Sequence, residues 1–143
     1  MTMDPAAGPA RTFTIEQANR MLPLVRRIVE DIVQDYARWM EQVGVLEVVA
    51  AGRRGDSPPD EAEKVEQDTQ RLAADIERYV GELRELGVDF KGFDQGLVDF
   101  PAELDGRPVY LCWQLGENAV EHWHDIDAGF AGRQKVQLSA NGR

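Results

Sequence analysis

Cysteine is almost absent from the chain: Cys112 is the only one in 143 residues, so no internal disulfide can form and a reducing compartment is expected. Basic charge is also scarce, with sixteen Lys and Arg against twenty-six Asp and Glu for a formal charge of −10. Such a field opposes phosphate backbones and anionic lipid, so neither nucleic acid nor a membrane surface is an expected partner. No apolar run approaches the roughly 20 residues of a bilayer span. Met1 to Arg11 holds Asp4 and two prolines but lacks the apolar stretch of an export signal, and a cytoplasmic protein is expected. What remains is a composition 43% hydrophobic and 29% charged, enough for one packed domain with little room for a second.

Thr14 and Gln17 have the spacing of a capping box, and Phe13 before them can staple the first turn. Leu22, Val25, Ile28, Val29, Ile32, Val33, Tyr36, Trp39, Met40 and Val43 follow at three- and four-residue steps, so helix is expected to about Val49–Ala51. Pro23 lies too deep for a free first-turn position, and a kink or a restart of the helix near it is expected. The stretch 52–59 (GRRGDSPP) reads as the tip of a hairpin. A second helix is expected over 60–87, with acids in its first turn, a stripe through Val65, Leu72, Ile76, Tyr79, Val80, Leu83 and Leu86, and Gly87 as a left-handed cap. Gly81 costs about 1 kcal/mol relative to Ala inside a helix, so it is either a tolerated residue or the mark of a close neighbour.

After Gly87 the period shortens, and 88–138 reads as a small sheet. Val88 to Phe93 suggests a short strand, and Gly96 opens a second. Asp105-Gly106 between alternating segments signals a two-residue type I′ hairpin. That turn pairs Leu104 with Arg107 and therefore Ala102 with Val109, Phe100 with Leu111 and Val98 with Trp113, one apolar face for the helices. The reverse face then carries Asp99 opposite Cys112 and Pro101 opposite Tyr110. A third strand is expected near Val120–Ile126, then a glycine-punctuated turn over Gly129–Gln134 and a short segment at Val136–Leu138. The fold expected is α+β: a long antiparallel helical hairpin packed on a small antiparallel sheet at the C-terminal side, one domain over 12–138, with fraying tails at 1–11 and 139–143.

Gly96-Leu97-Val98-Asp99-Phe100-Pro101, Val109-Tyr110-Leu111-Cys112-Trp113, Gly116-Glu117, Trp123-His124 and Asp127-Ala128-Gly129-Phe130-Ala131-Gly132-Arg133-Gln134 together resemble a bacterial family called domain of unknown function 2203. Phe13-Thr14, Ala18-Asn19 and Leu22-Pro23-Leu24 resemble its opening. The resemblance covers nearly the whole chain outside the tails; it implies a name and an extent, and transfers no catalytic residue.

The chemistry-bearing stretch is 117–127 (ENAVEHWHDID). On a strand, His122 and His124 share a face about 7 Å apart, a spacing that can chelate one ion. Glu117, Asp125 and Asp127 offer oxygen ligands for Zn, Mn or Fe. The cupin motif is excluded because its next Glu is missing, and the metallo-β-lactamase pattern because Ile126 stands where Asp is required. Register decides what the imidazoles meet. A three-residue loop (Glu117, Asn118, Ala119) sets His124 opposite Cys112 and Asp99, with Trp123 opposite Trp113; this row suits a metal site or a thiol activated by imidazole. A loop of two or four residues instead puts His122 beside Trp113 and His124 beside Leu111, under the helices.

Gly129, Gly132, Arg133 and Gln134 form a turn able to offer backbone N–H groups and a guanidinium to an anion. Arg20, Arg26, Arg27, Arg53 and Arg54 make no nucleic-acid stripe, since acids interleave them. Asp99, Glu103 and Asp105 do not read as a glycosidase pair. The apolar run at 43–51 (VGVLEVVAA) is the candidate patch for homodimerisation. The leading expectation is therefore an interaction or ligand-binding module that self-associates through its helices; the alternative is a metal-binding protein or metal-dependent enzyme using His122, His124, Asp127 or Glu117, with Cys112 and Asp99 near.

Overall fold

A computed structural model describes residues 11–52 and 59–137; the expected tails, apart from Arg11, and most of the 52–59 hairpin tip, as well as Leu138, lie outside the described residues. Helix α1 runs from Ile15 to Gly52 and helix α2 from Pro59 to Glu85. The capping box forms: Gln17 N–H donates to Thr14 Oγ1, and Thr14 N–H to Gln17 Oε1, each at 3.0 Å. Phe13 is buried and meets Phe100 edge-on, centroids 5.3 Å apart. Pro23 does not restart the helix, which is continuous through it. An interior proline costs about 3 kcal/mol, but Leu22 and Val25 on either side of it are buried in one core, and each such side chain returns about 1.5–3 kcal/mol.

Helix α2 ends as its sequence requires. Gly87 sits at φ 88°, its N–H donates to Arg84 O, and Val88 N–H donates to Leu83 O, both at 2.9 Å, the two bonds of a Schellman cap. Gly81 has open space where a Cβ would stand, so no neighbour presses on it. Close approach occurs instead at Gly96: at φ +71°, a Cβ there would lie 2.8 Å from Leu115 Cβ and 2.9 Å from Val29 Cγ1, a place only glycine can fill.

The strands β1 (Asp89–Gly92), β2 (Leu97–Leu104), β3 (Arg107–Gln114), β4 (His122–Asp125) and β5 (Gln134–Lys135) form an antiparallel sheet in sequence order. Asp105 and Gly106 take φ of 54° and 82°, as a type I′ turn demands, and every β2–β3 pair falls in the register that turn dictates, including Asp99 opposite Cys112. Val98, Phe100, Ala102, Val109, Leu111 and Trp113 are buried in one core with Leu22, Val25, Val29, Ile32, Ile76 and Leu83.

The connection into β4 is longer than expected. It spans residues 115–121, so β4 begins at His122, and Leu111 faces Trp123, Cys112 faces His122 and Tyr110 faces His124. The parity is that of the three-residue loop, but the strand has slid by two residues, and Val120 belongs to the connection. Helix α1 holds it there: Asn19 Oδ1 accepts from Val120 N–H at 2.7 Å, and Asn19 Nδ2 donates to Val120 O at 3.1 Å. One amide thus satisfies both backbone groups of a buried residue. Asn19→Ala leaves both without partners, and chemical denaturation should show a loss of about 2 kcal/mol; a loss below about 0.5 kcal/mol contradicts the clamp.

Candidate metal centre

Alternation along β2, β3 and β4 turns Asp99, Cys112 and His124 away from the helices, yet none is solvated: they are 5%, 1% and 3% exposed. One ligating atom of each lies within 4.8 Å of those of the other two. The imidazole is fixed at both nitrogens. His124 Nδ1 is 2.7 Å from the carbonyl oxygen of Asp125; a carbonyl only accepts, so Nδ1 carries a proton. Nε2 faces Asp99 Oδ1 at 3.1 Å, and that contact is attractive only with one proton between the two atoms. The Tyr110 ring lies 5.6 Å from the imidazole.

Burial pushes the Asp99 carboxyl above its usual range; the hydrogen bond and charge of His124 and the charge of Lys91 pull it back, and Asp89 adds to the rise. Burial first, and then the negative charge of Asp99, push the Cys112 thiol from 9.0 up to about 12, with Arg133 opposing. Cys112 is therefore a protonated thiol, and the reading of an imidazole-activated nucleophile finds no support in this geometry. The same three groups fit a metal. A thiolate and an imidazole favour a borderline-soft ion such as Zn over Mg or Ca. A divalent ion with one thiolate and one carboxylate has no net charge, which lowers the cost of burying it. The Nδ1–H bond to a backbone carbonyl is the support that metal-bound histidines commonly have.

The other expected ligands go elsewhere. His122 shares the face of His124, as alternation requires, but its Nδ1 is 2.6 Å from Arg133 Nη2. Arginine only donates, so this nitrogen is the acceptor and the His122 proton sits on Nε2. Arg133 also pairs with Glu117, whose second oxygen accepts from Gln114 N–H at 2.9 Å. Asp127 is exposed beyond β4, and Asp125 pairs with Arg107. In the turn at Gly129, Gly132, Arg133 and Gln134, two of the backbone N–H groups expected to face an anion are already used. Gly132 N–H and Arg133 N–H are used within the turn, donating to Gly129 O and Phe130 O at 3.1 Å, and Gln134 is an exposed residue of β5. Sequence reasoning left Asn19 unread; an amide among the apolar residues of a helix was the available signal.

A cleft of about 950 Å³, lined by Phe13, Ile15, Leu104, Trp123 and Val136 among others, lies on the helix side of the sheet and does not reach the Asp99–Cys112–His124 cluster. The chain is thus an α+β domain, a helical hairpin on an antiparallel meander, with a sulfur, nitrogen and oxygen cluster closed into the far face of the sheet. It belongs to the family described as "Uncharacterized conserved protein (DUF2203)", whose model matches residues 11–136. Comparisons with curated proteins and with solved structures found no match.

Proposed function

We propose that the protein is a metal-binding domain in which Asp99, Cys112 and His124 chelate one borderline-soft divalent ion, Zn being the best chemical match, with Mn and Fe as the alternatives. The observation that carries this reading is the convergence of three different donors from three neighbouring strands on one buried point, with the imidazole oriented through Nδ1. An ion there ties β2, β3 and β4 together and binds only the folded chain, so it must raise stability. A single cysteine kept as a thiol suits a cytoplasmic setting. With free Zn at 100 times its Kd, the gain is about 2.7 kcal/mol, a rise in Tm of roughly 5–11 °C for a domain of this size. Protein purified without a His tag should carry metal by elemental analysis or show this shift on adding Zn. Less than about one tenth equivalent of any transition metal, with no shift for Zn, Mn or Fe, contradicts the reading.

Self-association is a second reading, favoured by the distal half of α1. Met40, Val45 and Val48 are 53%, 40% and 72% exposed there, and Gly44 has open space beside them, an apolar stripe suited to a second copy of the chain. Val45→Lys with Val48→Lys should convert an oligomer to a monomer in light scattering; an oligomer of unchanged mass discards the patch.

A further inference from the structure

The cluster supplies three donors, one fewer than a tetrahedral ion takes, and no fourth His, Cys, Asp or Glu joins it among the described residues. His122, the register partner of Cys112 across β3 and β4, has its Nδ1 held by Arg133. Arg133 is itself unusual. Its side chain is 10% exposed; Nη2 serves both Glu117 and His122, while Nη1 is buried with no acceptor among the described residues. A buried donor of a charged group left in that condition is costly and rare. The guanidinium is thus tied to the residue that lies directly opposite Cys112 in the sheet, and its charge opposes the rise in the thiol pKa.

We infer that the metal centre proposed above is open to one exchangeable ligand, a small monoanion of the size of hydroxide or azide, which completes the coordination of the ion and accepts a hydrogen bond from Arg133 Nη1. The inference rests on the metal-binding reading and adds the ligand class and the residue that selects it. One anion answers both features: it gives the ion its fourth donor, and it gives the enclosed N–H a charge-assisted partner. The ion with its thiolate and carboxylate is neutral, so the anion adds one negative charge, and the Arg133 guanidinium, shared with Glu117, meets that charge through a directed bond. The closed surroundings restrict the ligand to a few atoms.

The experiment uses Co(II) in the full chain as a spectroscopic stand-in for Zn, titrated with sodium azide. The thiolate-to-cobalt absorption reports the metal, and the visible d–d bands report the fourth ligand. In the wild type, azide should shift the d–d bands in a saturable way. In Arg133→Lys, which keeps the cation and its pairing with Glu117 but lacks the forked second nitrogen, azide affinity should fall at least about tenfold with Co(II) affinity within about threefold. Because a change at Arg133 leaves half-buried Glu117 open to mispairing, Arg133→Met with Glu117→Gln removes both charges at once and should show the same loss. Wild-type bands that ignore azide, or an equal response in Arg133→Lys, overturn the inference and leave the metal reading standing. Absence of the thiolate-to-cobalt absorption in the wild type overturns both.

Discussion

His124→Ala should destabilise the apo protein by about 3–5 kcal/mol in urea denaturation at pH 7, more than a comparable truncation on the surface of either helix. The imidazole is the partner of a carboxyl group that is 5% exposed, and both of its interactions that lower the Asp99 pKa, the hydrogen bond and the charge, are lost with it. Removing one member of a buried pair costs mainly through the group left behind. The same substitution in an Asp99→Asn background should therefore cost only about 1–2 kcal/mol, and the difference is the coupling between the two residues. A cost that is the same in both backgrounds would show that His124 stabilises by packing against Tyr110 alone.

The second large effect appears at alkaline pH. The Cys112 thiol is raised from 9.0 to about 12 by burial and by Asp99. A group whose folded pKa lies above its unfolded value contributes stability that is complete below the unfolded pKa and is lost as pH rises through the folded one. The folded protein should therefore lose stability between pH 9 and about 12. Three pKa units correspond to at most about 4 kcal/mol at 1.36 kcal/mol each. Tyrosines and lysines also titrate in this range, so the readout is the difference between the wild type and Cys112→Ala, whose residue 112 cannot ionise. The cost of Cys112→Ala should shrink steadily from pH 8.5 upward; a cost independent of pH contradicts a thiol buried beside a carboxylate.

Local chemistry made much of the fold legible. Asp105-Gly106 set one turn, and from that turn the β2–β3 pairing followed residue by residue, so Asp99 and Cys112 could be placed together before any coordinates. Thr14 with Gln17 and Gly87 marked helix ends for similar reasons: capping and positive φ are demands on single residues. Pro23 does not end the helix because its local cost is outweighed by burial of neighbours that only the tertiary structure brings together. The position of β4 was half legible. Alternation put His122 and His124 on one face but left open whether that face was the one of Cys112 or the one under the helices; the register is fixed by Asn19 acting on Val120 from 101 positions away, and no short-range rule contains that contact. Arg133 with Glu117 is the same kind of case: opposite charges abound in the sequence, and the β4–β5 turn selects this pair. The depth of burial on the reverse face was not legible either, since alternation of polar residues ordinarily describes a wetted surface.

The most direct measurement is calorimetric titration of the metal-free protein with Zn in two buffers of different ionisation enthalpy. The site holds the Cys112 S–H proton and the proton shared by His124 Nε2 and Asp99 Oδ1, and an ion bound by all three side chains must displace both. A stoichiometry of one with about two protons released per ion, both lost in Cys112→Ala, is the expected result. No saturable heat, or binding that proceeds with the same proton count in Cys112→Ala, would contradict a metal centre at Asp99, Cys112 and His124.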